Sequence, residues 1–165
     1  MHSGKILPLH TQYMKMKRLY LLILLPMILG ACKKETDYAA IDKKTIETYI
    51  VDKGLTAQST SSGLYYVIES PGGTTHPTIT STVSVKYTGY LSDGTQFDSS
   101  NGKTVSFALS QVIVGWQEGL QLFGKGGKGK LLIPSDLGYG ESVVGSIPAH
   151  SVLIFDVELV NFTNL

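Results

Sequence analysis

Apolar and polar positions alternate over several stretches of the chain. Val83, Val85 and Tyr87 are interleaved with Ser84, Lys86 and Thr88, and Val105, Phe107 and Leu109 repeat the pattern. Near the C-terminus Leu153, Phe155, Val157 and Leu159 share one parity, with Asp156 and Glu158 on the other. A period of two puts each set on one face of an extended chain and predicts half-buried strands. The run Leu64-Tyr65-Tyr66-Val67-Ile68, stopped by Ser70-Pro71-Gly72-Gly73, predicts another, and Lys130 to Pro134 a further one. Gly115 to Phe123 breaks the alternation. Trp116, Leu120 and Phe123 there fall on one face of a short helix. A second helix is expected from about Asp42 to Lys53, where Ile46, Tyr49 and Ile50 recur at helical spacing and Gly54 can cap the end. That helix is expected to pack on its own domain, because one short helix offers little apolar face to a second copy, and the chain is expected to be a monomer.

The glycines divide the chain. Of 18, only Gly4, Gly30 and Gly54 lie outside residues 63–145. Strands, turns and one central helix in that region give an antiparallel sheet curled over a helix, an α+β class. The polar stretch before it, ending in Gln58-Ser59-Thr60-Ser61-Ser62-Gly63, has the composition of a flexible linker. Further upstream Lys15, Lys17 and Arg18 precede an apolar run from Leu19 to Leu29, which Pro26 interrupts. As helix this run reaches only about half of a ~30 Å hydrocarbon core, so it fits a cleaved signal better than a membrane span. Leu29-Gly30-Ala31-Cys32 resembles the lipobox of bacterial lipoproteins, which implies cleavage before Cys32 and a lipid on its sulfur. The expected organisation is a lipoprotein signal peptide over 1–31, a lipid-anchored tether with a short helix over 32–62, and a β-rich domain over 63–165. The expected location is the bacterial cell envelope, on a membrane reached through lipidated Cys32.

Charge and composition exclude several functions. Without Lys5, Lys15, Lys17 and Arg18 the 14 basic residues fall to 10 against 13 acidic ones, a net −3, which leaves no basic footprint for nucleic acid. One cysteine forms no internal disulfide, and His76 and His150 alone make no metal site, so no metal is expected. Gly124 to Gly129 satisfies G-x-G-x-x-G, and Gly119 to Lys125 most of a P-loop. Both have a helix before and a strand after, the reverse of a phosphate cradle. They are expected to form a turn with solvated lysines.

Four segments carry a positive signal when taken in order: Val85-Lys86-Tyr87-Thr88-Gly89-Tyr90-Leu91; Asp93-Gly94-Thr95-Gln96-Phe97-Asp98-Ser99-Ser100; Gln111-Val112-Ile113-Val114-Gly115-Trp116-Gln117-Glu118-Gly119; and Ile133 to Gly140 with Ile147-Pro148 and Phe155 to Leu159. Together they resemble the FKBP-type peptidyl-prolyl cis-trans isomerases, from about Ser81 to the C-terminus. The resemblance implies an FKBP-like fold, a curled antiparallel five-stranded sheet wrapped on one short helix, with an apolar pocket between them. It implies catalytic roles for Tyr87, Phe97, Asp98 and Tyr139, and substrate binding by Val112, Ile113, Trp116, Ile147 and Phe155. By the same resemblance Trp116 would form the pocket floor, the Ile113 N–H and the Tyr139 hydroxyl would donate to the bound peptide, and Asp98 would bond Tyr87. Val105 departs from the family's aromatic wall residue and Ala149 from a second proline after Ile147-Pro148, and the loop from Glu141 to Ser146 is shorter.

The expected partners are proline-containing polypeptides and, by the same resemblance, an FK506/rapamycin-type macrolide. Rotation about an amide opposes a barrier of ~18–20 kcal/mol that comes from resonance in the planar form. A twisted amide has less charge separation, so an aromatic pocket penalises the planar state more. No bond is made or broken, and no cofactor is expected. The rival reading is a peptide-binding chaperone or assembly module on the same fold, with an idle pocket.

Overall fold

The alternating stretches become one antiparallel sheet in the computed structural model, which describes residues 36–164. The expected signal run, Cys32 and the first part of the expected tether lie outside the described residues. The strands are β1 Gln58–Ser59, β2 Tyr65–Ser70, β3 Thr82–Leu91, β4 Gln96–Ser99, β5 Val105–Ala108, β6 Gly127–Ile133 and β7 Leu153–Thr163. Their spatial order is β1-β2-β6-β7-β3-β4, with β5 also on β3. The expected five strands are five rows: β2, β6, β7, β3, and an edge row split in two. β5 pairs the first half of β3, Val85 opposite Val105, and β4 the second half, Gly89 opposite Asp98. Between them Asn101 and Gly102 take left-handed backbone, at φ 51 and 73, which breaks the ladder. The two-residue β1 then extends the opposite edge.

Two helices lie on opposite faces of the sheet. The shorter, α2, spans Val114–Gly119 and continues as a 3-10 turn over Leu120–Leu122; the longer, α1, spans Tyr38–Asp52. α2 faces the larger core, where Trp116, Leu120 and Phe123 are buried with Leu131, Phe155 and Leu159. Gly115 and Gly119 let it approach β6. A β-carbon on either would stand 2.5 Å from the side chain of Ile133 or Leu131. The reverse face of β6 and β7 holds Leu132 and Ile154, which pack with Val152 just before β7 and with Ile46 of α1. Farther along that face the sheet is charged: Lys128 and Lys86 lie 3.4 and 3.9 Å from Glu158, and Lys130 pairs with Asp156. Lys125 and Gly126 form the exposed turn expected there, whereas Lys128 belongs to β6 and, though exposed, lies beside Glu158. Gly129 beside it permits the strand pairing, since a β-carbon there would meet the Val67 carbonyl of β2 at 1.9 Å.

Residues 37–62 pack on the sheet domain. Asp37–Leu165 is one compact unit. α1 starts earlier than its apolar spacing suggests because the Asp37 carboxylate accepts the Ala40 N–H at 3.0 Å, an N-cap. It ends at Asp52 with Lys53 as C-cap, and the next residue, Gly54, has a φ of 61 that suits glycine and turns the chain back. In the stretch with linker composition Ser59 pairs Tyr65 and the Thr60 N–H donates to the Leu64 carbonyl. Asp42, only 2% exposed, accepts both the N–H and the hydroxyl of Ser135, at 2.8 and 2.6 Å. No helix among the described residues is long and apolar enough to cross a membrane.

Removing the Asp42 carboxylate strands two donors in a dry site. Asp42→Ala is expected to cost about 2–4 kcal/mol and Asp42→Asn, which still offers an acceptor, about half of that. Urea unfolding checks this as a lower midpoint at unchanged slope.

Candidate active site

The inner face of β3 and β7 meets α2 in a cluster of aromatic rings. Trp116 stands edge-on to Tyr87 at 5.1 Å between centroids and to Phe155 at 5.2 Å, and Phe97 stands edge-on to Phe155 at 5.4 Å. Edge-to-face contacts of this kind add about 0.5–1.5 kcal/mol per pair and fix ring orientation. A fifth ring, Phe107, lies 5.9 Å from Trp116 and 6.3 Å from Tyr87. It lies outside the four ordered segments, although it shares the parity of Val105 and Leu109. It gives β5 an aromatic contribution to the wall, while Val105 is aliphatic and half-buried.

Gly89 makes room for this cluster. It sits in mid-strand, where glycine weakens a sheet unless something must come close. A β-carbon there would stand 2.7 Å from the Phe97 ring and 2.8 Å from that of Phe155. The two phenylalanines therefore lie directly over the β3 backbone.

The rim is polar and ordered. The Tyr87 hydroxyl donates to Asp98 Oδ2 at 2.7 Å, and Asp98 Oδ1 accepts the Ser99 N–H at 2.7 Å. Both carboxylate oxygens are thus held while the residue stays exposed. The Tyr87 hydroxyl is pushed up from its ordinary 10.0 to about 12, first by burial, then by the bond to Asp98 and that carboxylate's charge, with a smaller push from Tyr139. It remains a proton donor across the physiological range.

Val112 and Ile113 enter α2 half-buried against the aromatic core. Gln117 fixes this entry, donating from Nε2 to the Val112 carbonyl at 2.7 Å, and the Ile113 carbonyl accepts the N–H groups of Trp116 and Gln117. Nothing in the local sequence pattern marks Gln117 for this role. No acceptor among the described residues engages the Ile113 N–H. The buried Trp116 Nε1 is also without a partner there. Ile147 is buried in the same core, joined to Val144 by a two-residue bridge. Tyr139 is 37% exposed and its ring makes none of the aromatic contacts, although its hydroxyl lies close enough to act on Tyr87. The expected residues thus gather around Trp116, with Tyr139 at the outer margin and Cys32 outside the described residues.

The arrangement is an apolar aromatic floor with donors at its edge, suited to a neutral group that accepts hydrogen bonds. Comparisons with known proteins agree. Residues 73–160 match the family model for FKBP-type peptidyl-prolyl cis-trans isomerase. A relative from Aeromonas hydrophila, named FKBP-type peptidyl-prolyl cis-trans isomerase FkpA, is 53% identical over 105 residues, covering 62% of this chain and 39% of its own. The crystal structure of FkpA from Escherichia coli superposes with a TM-score of 0.69 at 35% identity, over 97% of this chain and 75% of that one. A peptidyl-prolyl cis-trans isomerase from Pseudomonas syringae gives 0.65 at 30% identity, over 76% and 96%. The chain spans about half or less of the length of the curated relatives it matches.

The Tyr87–Asp98 bond has a pH signature. Because folding raises the tyrosine pKa, its stabilisation is complete below pH 10 and is lost as pH rises towards about 12. In an absorbance titration one tyrosine should ionise near the upper value, vanish in Tyr87→Phe, and move towards 10.0 in Asp98→Ala.

Proposed function

The chain belongs to the FKBP-type peptidyl-prolyl cis-trans isomerases, and from that membership we propose that it catalyses rotation about X-Pro bonds in exported polypeptides, held at an envelope membrane by a lipid on Cys32. The observation that carries the catalytic part is the aromatic cluster around Trp116 with an unengaged Ile113 N–H at its edge. The proline ring packs on Trp116 between Tyr87, Phe97 and Phe155. Val112 and Ile147 complete the apolar wall. The Ile113 N–H and the Tyr139 hydroxyl hold two carbonyls of the peptide, which fixes the chain on either side of the rotating bond.

Rotation then proceeds where the planar amide has lost its water. The planar form, with its larger charge separation, is penalised more than the twisted form. Asp98 fixes Tyr87 and adds negative potential at the rim. Each ~1.36 kcal/mol of differential stabilisation gives a factor of ten on a step that unaided takes tens of seconds. The same apolar site would take a macrolide of the FK506/rapamycin type.

The full chain is expected to accelerate cis-to-trans conversion of a short X-Pro peptide. Asp98→Ala and Tyr139→Phe should each lower kcat/KM by about tenfold without unfolding the domain, since each removes a contact and no packed core. Trp116→Ala should abolish turnover and cost about 3–5 kcal/mol of stability. Equal activity in all variants would remove the site assignment, and a flat trace from folded wild type that still binds the peptide would leave a peptide-holding module.

The anchor is tested separately. In a bacterial host that processes lipoproteins, the wild-type chain should partition into the detergent phase and Cys32→Ser should not. An unlipidated Cys32 in the mature protein would refute the anchor.

A further inference from the structure

We propose that α1 is a positioning element for the candidate active site, holding the loop that carries Tyr139 through two of its residues, Tyr38 and Asp42. The proposal rests on the reading of Tyr139 and Ile147 as substrate contacts. Both lie on the long connection between β6, which ends at Ile133, and β7, which begins at Leu153. Among the described residues that connection holds a 3-10 turn over Ser135–Leu137, a few turn bonds and one β-bridge, Val144 to Ile147. Left to itself a connection of this length samples many conformations, and a hydroxyl at its margin would be poorly aimed.

Its two ends are instead tied to each other and to α1. The Gly140 N–H donates to the Ser135 carbonyl at 2.9 Å, and the His150 N–H donates to the Gly140 carbonyl at 2.8 Å. Ser135, Gly140 and His150 are therefore linked in one relay, and Tyr139 is the residue before its middle member. α1 grips both outer members. Asp42 accepts the N–H and the hydroxyl of Ser135. Tyr38 stacks flat on the His150 imidazole, with 3.5 Å between centroids and 3° between planes.

Tyr38 and Asp42 are four residues apart, so they sit on one face of α1 one turn from each other. His150 carries its ring on left-handed backbone, at φ 56, a region that a β-carbon disfavours. Its Nδ1 is buried and has no hydrogen-bond partner among the described residues. A residue placed at that conformational cost, with no polar compensation at this nitrogen, is held by the stacked ring. A shift of α1 would move both ends of the relay, and with them the Tyr139 hydroxyl relative to Trp116 and Tyr87. Small misplacements of a positioning group lower rate strongly.

The test uses the full chain with Tyr38→Ala, Tyr38→Phe and Asp42→Asn, read by amide hydrogen exchange and by kcat/KM on an X-Pro peptide. Tyr38→Ala should speed exchange at the Gly140 and His150 amides by about tenfold, leave the centres of β3 and β7 unchanged, and lower kcat/KM by about fivefold. Tyr38→Phe, which keeps the stack, should restore both. Asp42→Asn should loosen the same amides, starting from Gly140. In a Tyr139→Phe background Tyr38→Ala should have little further effect on kcat/KM, because its target is gone. Exchange that rises equally across the sheet, loop amides that do not respond, or a loosened loop with undiminished kcat/KM would each overturn the proposal. A wild-type protein without isomerase activity would instead refute the reading of the site, and the exchange data and the Phe rescue would then decide by themselves whether α1 holds the loop.

Discussion

The approach of α2 to β6 sets the geometry on which the site depends. Gly115 and Gly119, one helical turn apart, present no side chain to the strand, and Ile133 and Leu131 fill that space. With the helix backbone this close to the sheet, Trp116 has one place to go, against the edges of Tyr87 and Phe155. A larger residue at either glycine would lift the helix and open a gap under the indole, and cores relax only partly around such gaps. The aromatic floor follows from a backbone distance, and the same distance aims the N-terminal turn of α2, where Ile113 keeps an unengaged N–H.

β3 plays the corresponding part on the sheet side. It pairs with β7 along its whole length and with β4 and β5 in turn on its other edge. Tyr87 and Gly89 project towards α2 from it, one supplying a ring and a hydroxyl, the other the space for Phe97 and Phe155. Because Gly89 lies opposite Asp98 in the ladder, the register that seats Phe97 over β3 also brings the carboxylate to the Tyr87 hydroxyl. The ladder shifts by one residue between Gly89 and Tyr90, which leaves Phe97 as an extra residue between Gln96 and Asp98, so that Phe97 and Asp98 both reach the face of Tyr87. The apolar floor and the charged rim are therefore set by one pairing.

Much of this was legible from residue order. Alternation located β3, β5 and β7, and the spacing of Trp116, Leu120 and Phe123 located α2, because each element buries one face and periodicity reports burial. The resemblance of the ordered segments supplied the grouping of Tyr87, Asp98 and Trp116, which lie far apart in the chain and which periodicity cannot join. Phe107 was missed as a site residue since its parity marks it only as inward. The helix around Ile46 and its packing on its own domain follow from apolar spacing, but the contacts of its polar residues and of the stretch before Gly63 do not, because such residues look solvated. Asp42 is instead buried on a donor pair 93 positions away, and Ser59 is in a ladder. A polar side chain satisfied by a distant partner leaves no trace in local pattern, and composition then suggests a linker where the fold has an element.

The two cores explain why that element matters to the site. β6 and β7 contribute to both, through Leu131, Phe155 and Leu159 on the α2 side and Leu132 and Ile154 on the α1 side. The remaining outer positions of these strands carry partly exposed ion pairs, which contribute little to stability and mainly keep the face wetted. Burial on the reverse face is thus concentrated at the end of the strands next to their connecting loop. That is also the end at which Tyr139 and Ile147 leave and re-enter the sheet. The position of the loop is therefore determined from both faces at once, by packing under Trp116 on one and by the buried Asp42–Ser135 contact on the other.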